Sequence, residues 1–520
     1  MKKDLENPLL LKKVIQDQGV IIVNLNKRFA AINKKLADKV AELAGVYERY
    51  YLLQHKRFGK STEADPGQLN LFNELEVLIE EIEHTKADID TPISKRKQPT
   101  RKPLPKELPR ETIIHDIPAQ DKQCTDCGNE LHKMGEDKSE KLEFIPASVK
   151  VVEHIRPKYS CRHCEQCSTG VSIIQAAVPA SPFPKSFATA SLLSHIIVSK
   201  YQYSLPLYRQ EDIFKAYGIE LSRQTMSGWM MKSSQLLTPL YNRLHHILLQ
   251  QNIIQADETP LRVIESDKSK CYMWLYCTGA DSPENYNSDI PNIVLYDFND
   301  SRSGSCAVNF LQGYEGYLQV DGYQGYGATD ATLVGCMAHA RRKFKEAQLA
   351  GAKEGYAVWA MTQIKKLYKI ESLIKDMSPA DKHAYRQKHA KPLLVQYKAW
   401  LDNSIEQVLP KSALGTAMAY SLNQWPKLIR YIEDGNLNID NNRSERAVKP
   451  VVIGRKNWLF SNTLKGATSS GVLYSIVQTA KANGLIPFVY LNYVLDELSK
   501  PSAQDNLDNL DNLLPWNVNL

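Results

Sequence analysis

Apolar positions follow two different rhythms along the chain. Between residues 20 and 55 they recur every three or four residues. A heptad frame starting at Ile22 puts Ile22, Phe29, Leu36, Leu43 and Tyr50 at one seam position. Leu25, Ile32, Lys39, Val46 and Leu53 fall at the other. Spacing sustained this long predicts a coiled coil, and with it pairing to a second copy or a partner chain. An amphipathic helix packed on its own domain shows the same local pattern. Helical spacing returns over residues 185–240. There a helix reaches Tyr217, Gly218 makes a turn, and Ser222 is placed to cap a new helix. Its first exposed side chains are Arg223, Gln224, Thr225 and Ser227. This is a helix-turn-helix arrangement, whose second helix can enter a DNA major groove; an ordinary helical pair reads the same way.

From about residue 250 the period shortens. NIIQADETPLRVI, KCYMWLYCTGAD, NIVLYDFND and GYLQVDGYQGYG are apolar runs bounded by turn residues, as strands require. TLVGCMAHARRKFKEA continues from strand into helix. Several strands followed by a strand–helix unit predict an α/β domain with a mixed sheet. Residues 345–437 have few strand signals and read as helical. NGLIPFVYLNYVLDELSK reads as an amphipathic helix after Pro487, and DNLDNLDNLLPWN as a low-complexity, flexible or partner-seeking tail.

A chain of 520 residues exceeds one core, and about 150 residues per domain gives three or four. We divide it as follows: a coiled-coil helix over 1–58, a linker over 59–112 and a zinc-binding domain over 113–172. A helical DNA-binding region over 173–245 and a catalytic domain over 246–480, with the insertion 345–437, follow. The C-terminal element and tail span 481–520. No apolar run is long enough to span a membrane, and the N-terminus does not read as a secretory signal. A cytoplasmic location follows, where cysteines stay reduced. The net charge of +7 is a weak bias toward a polyanion. Between Lys95 and Arg110 seven basic residues face one acidic residue among prolines, while Glu63–Glu83 is acidic. The basic run is either a solvated linker or an arm that tracks DNA.

Cys124 and Cys127 form one C-x-x-C knuckle, and Cys161 and Cys164 form a second after 33 intervening residues. Two such pairs can close a tetrahedral site around a structural Zn²⁺. The intervening segment alternates like strands that would bring the knuckles together. The gap is longer than usual for a zinc ribbon, so Cys167, His163 and His154 remain alternative ligands.

Asp257 and Asp321 each interrupt an apolar strand. Burying a carboxylate there is costly unless it is paired or bound to metal. Two carboxylates side by side on a sheet repel, and a divalent cation removes the repulsion. Mg²⁺ (or Mn²⁺) suits a sparse set of carboxylates completed by water and phosphate. Glu445 is the third candidate, on a short helix expected to end near Pro450. Asn442-x-x-Glu445 also spells a capping box, and Asp440 is a substitute ligand. Glu258, next to Asp257, points to the other strand face and reads as a support residue. His339, Arg341, Arg342 and Lys343 could grip phosphates, or form a solvated basic helix with one histidine at the core edge. Arg455 and Lys456 form a second basic cluster, beside a Trp458 better read as packing.

These motifs together resemble a bacterial insertion-sequence transposase of the family numbered sixty-six. The matching words are RFGKSTE, QLNLFNE, the CTDC and CRHC knuckles, ADETPLRV, RSG at Arg302–Gly304, QVDGYQGY and GCMAHARRKF. NNRSERAVKPVVIGRKNWLF, NGLIPFVYLNYVL and the terminal LPWN follow in order. The resemblance implies an Asp-Asp-Glu triad at Asp257, Asp321 and Glu445, and it is what sets Glu445 above a capping role. It implies a ribonuclease-H-like catalytic core with a helical insertion before the last acid. The expected protein is thus multidomain: coiled coil, zinc-ribbon-like domain, helix-turn-helix-like region and ribonuclease-H-like α/β domain. The expected partners are DNA (the element's terminal inverted repeats and the target), further copies of the chain, and small accessory transposition proteins. The expected setting is the bacterial nucleoid. A catalytically inactive DNA-binding regulator and a nuclease without joining activity are the competing readings.

Overall fold

Five strands build the sheet that organises the larger part of the protein. In the computed structural model they are β3 (Ile253–Leu261), β4 (Cys271–Cys277), β5 (Val294–Asn299), β6 (Tyr317–Gln319) and β7 (Thr332–Val334). Their spatial order is β5-β4-β3-β6-β7. The first three pair antiparallel, and β6 and β7 add parallel to β3. All five expected strands form, because each is an apolar run cut off by turn residues. The structure describes residues 149–160, 173–279, 290–348, 354–500 and 510–520. The heptad segment, the proline-rich linker and the four knuckle cysteines lie outside these.

The chain divides into two compact units, His84–Val178 and a larger one made of Met1–Glu83 with Pro179–Leu520. In the smaller, β1 (Lys158–Ser160) pairs antiparallel with β2 (Ile173–Gln175). Cys161 directly follows β1 in the sequence.

The larger unit enters its sheet through three helices, α1 (Ala190–Tyr201), α2 (Leu207–Ala216) and α3 (Arg223–Leu249). The turn falls where the sequence placed it. Gly218 takes φ +75°, a backbone conformation that suits glycine. Ser222 caps α3, its Oγ accepting the Thr225 amide at 3.1 Å. Arg223, Gln224 and Thr225 are exposed. The remainder of α3 buries Met226, Trp229, Leu237, Leu240, Leu244 and Leu248 in one core with the sheet.

The insertion carries α6 (Tyr356–Leu373), α7 (Pro379–Tyr385), α8 (Lys391–Ser404) and α9 (Ala413–Leu428) after α4 (Gly304–Phe310) and α5 (Met337–Ala347). No strand occurs among the described residues of the insertion. It has a core of its own, including Ile364, Leu367, Tyr397, Leu401 and Met418, which meets α5 at Met337 and Phe344.

Three helices close the unit: α10 (Asn442–Trp458), α11 (Leu464–Ala482) and α12 (Pro487–Glu497). α11 lies on β5. Ser475 Oγ accepts the Tyr296 amide at 2.8 Å and Thr479 Oγ1 accepts the Val294 amide at 3.1 Å. Two expectations are corrected here. α10 does not end near Pro450 but runs through it to Trp458. The amide lost at the proline costs one helical bond, and burial of Val448, Val451 and Val452 outweighs it. Nor is the end of the tail detached. Leu513 and Leu514 are buried, Tyr490 donates to the Leu513 carbonyl at 2.6 Å, and Arg243 pairs with Asp511 at 2.6 Å. Among the described residues no helix is long and apolar enough to cross a membrane.

Candidate active site

The sheet register sets the first two acids. Gln255 on β3 pairs with Gln319 on β6 in a parallel ladder. Two residues further along each chain come Asp257 and Asp321, on the same face and at the same level. Backbone amides orient both: Asp257 Oδ1 accepts from Glu258 at 2.8 Å, and Asp321 Oδ1 accepts from Tyr323 at 2.8 Å.

Glu445 is brought to them by the segment that opens α10. The Gln319 amide group donates to the carbonyls of Asn438, at 2.5 Å, and Asp440, at 2.9 Å. Asn441, which is buried, donates from Nδ2 to the Ala256 carbonyl at 2.8 Å. The start of α10 is thereby tied to both acid-bearing strands, and Glu445 lies in its first turn. The capping alternative fails, because Asn441 is the N-cap and makes no side-chain cap hydrogen bond. Oε1 of Glu445 is buried without any hydrogen-bond partner. Its neighbours are His339 Nδ1, 3.7 Å away, and an Arg342 nitrogen 3.9 Å from Oε2.

The acids bear on one another electrostatically, although among the described residues it is Cys336, His339 and Glu445, not the three carboxylates, whose donor atoms lie within 4.8 Å of one another. Burial, then the charges of Glu258, Asp321 and Glu445, push the Asp257 carboxyl well above the usual carboxylate range. Burial raises Glu445 to about 7, with Asp440 and Asp321 adding to the rise and Arg342 opposing it. His339 is pushed down to about 4 by burial and by the charges of Arg342 and Lys343. Asp440, the substitute ligand, is buried and accepts the Asn442 amide at 3.1 Å.

Alternation along β3 turns Glu258 away from Asp257, and its part in the architecture exceeds what the sequence suggested. Its side chain is 1% exposed, and Oε1 accepts from Arg302 while Oε2 accepts from Tyr326 at 2.6 Å. The Arg302 guanidinium stacks 4.1 Å from the Tyr323 ring. Arg302 and Tyr326 come from RSG and GYQGYG, so Glu258 clamps together the two loops that flank Asp321. Gly304 and Gly325 allow the approach: a Cβ on Gly304 would lie 2.5 Å from the Gly325 carbonyl oxygen. Sequence reading noticed both motifs but had no signal for the pairing between them. Asn441 and Gln319 were missed for the same reason, since each acts through side-chain hydrogen bonds to a distant backbone.

The basic candidates divide. His339 and Arg342 lie against Glu445, and Lys343 reaches within 4.9 Å of the Tyr420 ring. Arg341 is half-buried on the same helix. Arg455 turns inward, donating to Thr259 Oγ1 at 2.9 Å and to the Pro260 carbonyl, and so pins α10 to β3. Lys456 is exposed. Trp458 packs against the core as expected, with the Lys200 ammonium 5.4 Å from its ring.

Comparison with known proteins agrees with this architecture. Residues 185–469 match the model described as "Transposase IS66 family". Residues 121–165, which contain all four knuckle cysteines, match the zinc-finger binding domain of transposase IS66. Residues 47–113 match "Transposase C of IS166 homeodomain", and residues 475–516 the IS66 C-terminal element. Among curated relatives, the uncharacterized protein y4jD of Sinorhizobium fredii (strain NBRC 101917 / NGR234) is 35% identical, over 80% of this chain and 81% of its own. The uncharacterized protein y4qI of the same organism is 30% identical over 94% of this chain and 91% of its own. With one family model matching more than half its length and its accessory regions matched on either side, the chain belongs to the IS66 family of transposases.

Proposed function

We propose that this transposase binds the ends of its insertion element, cuts the DNA strands there and joins them to target DNA. Asp257, Asp321 and Glu445 are the acids of the reaction. The observation that carries this reading is the convergence of three carboxylates from β3, the end of β6 and the first turn of α10, where Asp321 and Glu445 bear on Asp257 and Asp321 bears on Glu445. Like charges that bear on one another favour a cation between them, and the donor set is all oxygen, which suits Mg²⁺ or Mn²⁺. The buried, unpartnered Oε1 of Glu445 fits that role. Divalent ions held there would supply activation of a water or a DNA 3′-hydroxyl and stabilisation of the leaving oxygen.

The chain's own contribution is placement. The Glu258 and Tyr323 amides aim the two aspartates, and Asn441 and Gln319 hold Glu445 beside them. The strand order, with three antiparallel strands followed by two parallel ones, supports a ribonuclease-H-like core. The exposed Arg223, Gln224 and Thr225 form the leading edge of a groove-reading helix, and Arg341, Arg342, Lys343 and Lys456 approach phosphates. We further propose a structural Zn²⁺ on Cys124, Cys127, Cys161 and Cys164, and self-association through the heptad segment. Accessory proteins encoded by the element and a nucleoid setting complete the proposal.

A strand-transfer assay on element-end DNA with Mg²⁺ tests it. Asp257→Asn, Asp321→Asn and Glu445→Gln should each bind the DNA and fail to cut it. Cutting retained by one variant removes that residue from the triad. A wild-type chain that shifts DNA but leaves it whole would be a regulator, and one that cuts without joining a nuclease.

A further inference from the structure

Cys336, His339 and Glu445 bring a sulfur, an imidazole nitrogen and a carboxylate oxygen within 4.8 Å of one another. Cys336 caps the start of α5 and His339 follows one turn later, while Glu445 arrives from α10. The Cys336 side chain is buried, and its sulfur accepts the Asn441 amide at 3.3 Å. Burial and the charges of Glu445 and Asp440 push the thiol up against that one donor, so a bound cation is what would draw the proton off the sulfur. His339 Nδ1 and Glu445 Oε1 face each other at 3.7 Å, and neither has a hydrogen-bond partner. Two buried polar atoms left in this state are costly unless something bridges them.

Zinc bonds of about 2.0 Å to nitrogen and oxygen and about 2.3 Å to sulfur put donor atoms roughly 3.3–3.8 Å apart. The three side chains need to close by only about 1 Å to reach that spacing. Sulfur and imidazole select a soft or borderline ion over Mg²⁺. We propose that Cys336, His339 and Glu445 form a second metal site, selective for ions of the Zn²⁺ class, with its fourth position left to water. Loading forms a sulfur–metal bond, and the thiol proton leaves to solvent with no change of oxidation state.

The consequence rests on the triad reading given above. One Glu445 carboxylate cannot serve both sites, so a soft ion draws it away from Asp257 and Asp321. Free zinc therefore switches the transposase off, in competition with magnesium.

Cobalt tests the site without relying on activity. The full chain, with its knuckle site loaded as purified, is titrated with Co²⁺ and compared with Cys336→Ser, so that knuckle absorption cancels. The wild type should take up one more equivalent than the variant, with a sulfur-to-cobalt charge-transfer band. His339→Ala, a change at a partly exposed position, should weaken that uptake at least tenfold, and Asp257→Asn should leave it intact. Equal uptake by wild type and both variants, or loss in Asp257→Asn alone, overturns the site. Under excess Mg²⁺, added Zn²⁺ should stop DNA cutting by the wild type and not by Cys336→Ser. If the wild type never cuts, the triad reading fails while the cobalt measurement still decides the site.

Discussion

Arg302, in the loop after β5, is joined to Glu258 on the central strand β3, Nε at 2.9 Å and Nη2 at 2.5 Å from the same carboxylate oxygen. Glu258 is almost wholly buried, while its arginine is 44% exposed. Truncating the arginine strands a charge in the interior, whereas neutralising the acid does not. Arg302→Ala should therefore destabilise the larger unit by about 3 kcal/mol, and Glu258→Gln by clearly less. Thermal unfolding of the two variants measures the asymmetry. Equal losses would mean that the pair is held mainly by packing.

Asp257 should trade stability for activity. In a chelator its carboxylate is desolvated and repelled by three neighbours. Asp257→Asn removes that burden and should raise the melting temperature of the metal-free chain while abolishing cutting. In saturating Mg²⁺ the order should reverse, since only the wild type gains from the ion. Paired melts with and without Mg²⁺ check both halves.

The Glu445 shift has a definite sign. Its folded value of about 7 lies above the unfolded value of 4.5. The folded state thus holds the proton more tightly. The associated stability is complete below pH 4.5 and is lost as pH rises through 7, on the order of 3 kcal/mol in the metal-free chain. A cation competes with that proton. The gain in melting temperature on adding Mg²⁺ should accordingly grow between pH 6 and pH 8, and Glu445→Gln should flatten the trend. A gain independent of pH would assign the shift to something other than the ion's ligand.

Asn441 is a positioning residue for Glu445. Asn441→Ala deletes its bond to the Ala256 carbonyl and leaves that oxygen buried, a cost of about 1–3 kcal/mol. Activity should fall further than this stability loss explains, while affinity for element ends is kept. Binding and cutting measured on one preparation separate the two effects.

The tail should matter through its leucines more than its ion pair. Ending the chain at residue 500 removes buried Leu513 and Leu514 and the carbonyl that Tyr490 bonds. Each leucine contributes about 1.5–3 kcal/mol. Arg243→Ala breaks a partly exposed pair and should cost under about 1 kcal/mol. Denaturation midpoints for the two variants give the comparison.

The strands were legible because apolar runs and turn residues act locally, and Ser222 and Gly218 marked their turn for the same reason. Asp257 and Asp321 stood out as charges where desolvation is costly. Glu445 was ambiguous because an acid in a first turn suits a helix end as well as a metal. The bond of Asn441 to β3, and those of Gln319 from β6 to the segment before α10, set where it points. Pro450 misled because local propensity yields to burial. The tail misled because a repetitive composition says nothing about two leucines at its end finding a groove.

The late position of Glu445 in the chain bears on how the protein is made. A ribosome releases Asp257 and Asp321 well before α9 has been synthesised, and α11, which covers β5, comes later still. A nascent chain therefore carries two of its acids but cannot assemble the third. On the proposed reading, a half-translated chain has no complete site with which to cut DNA.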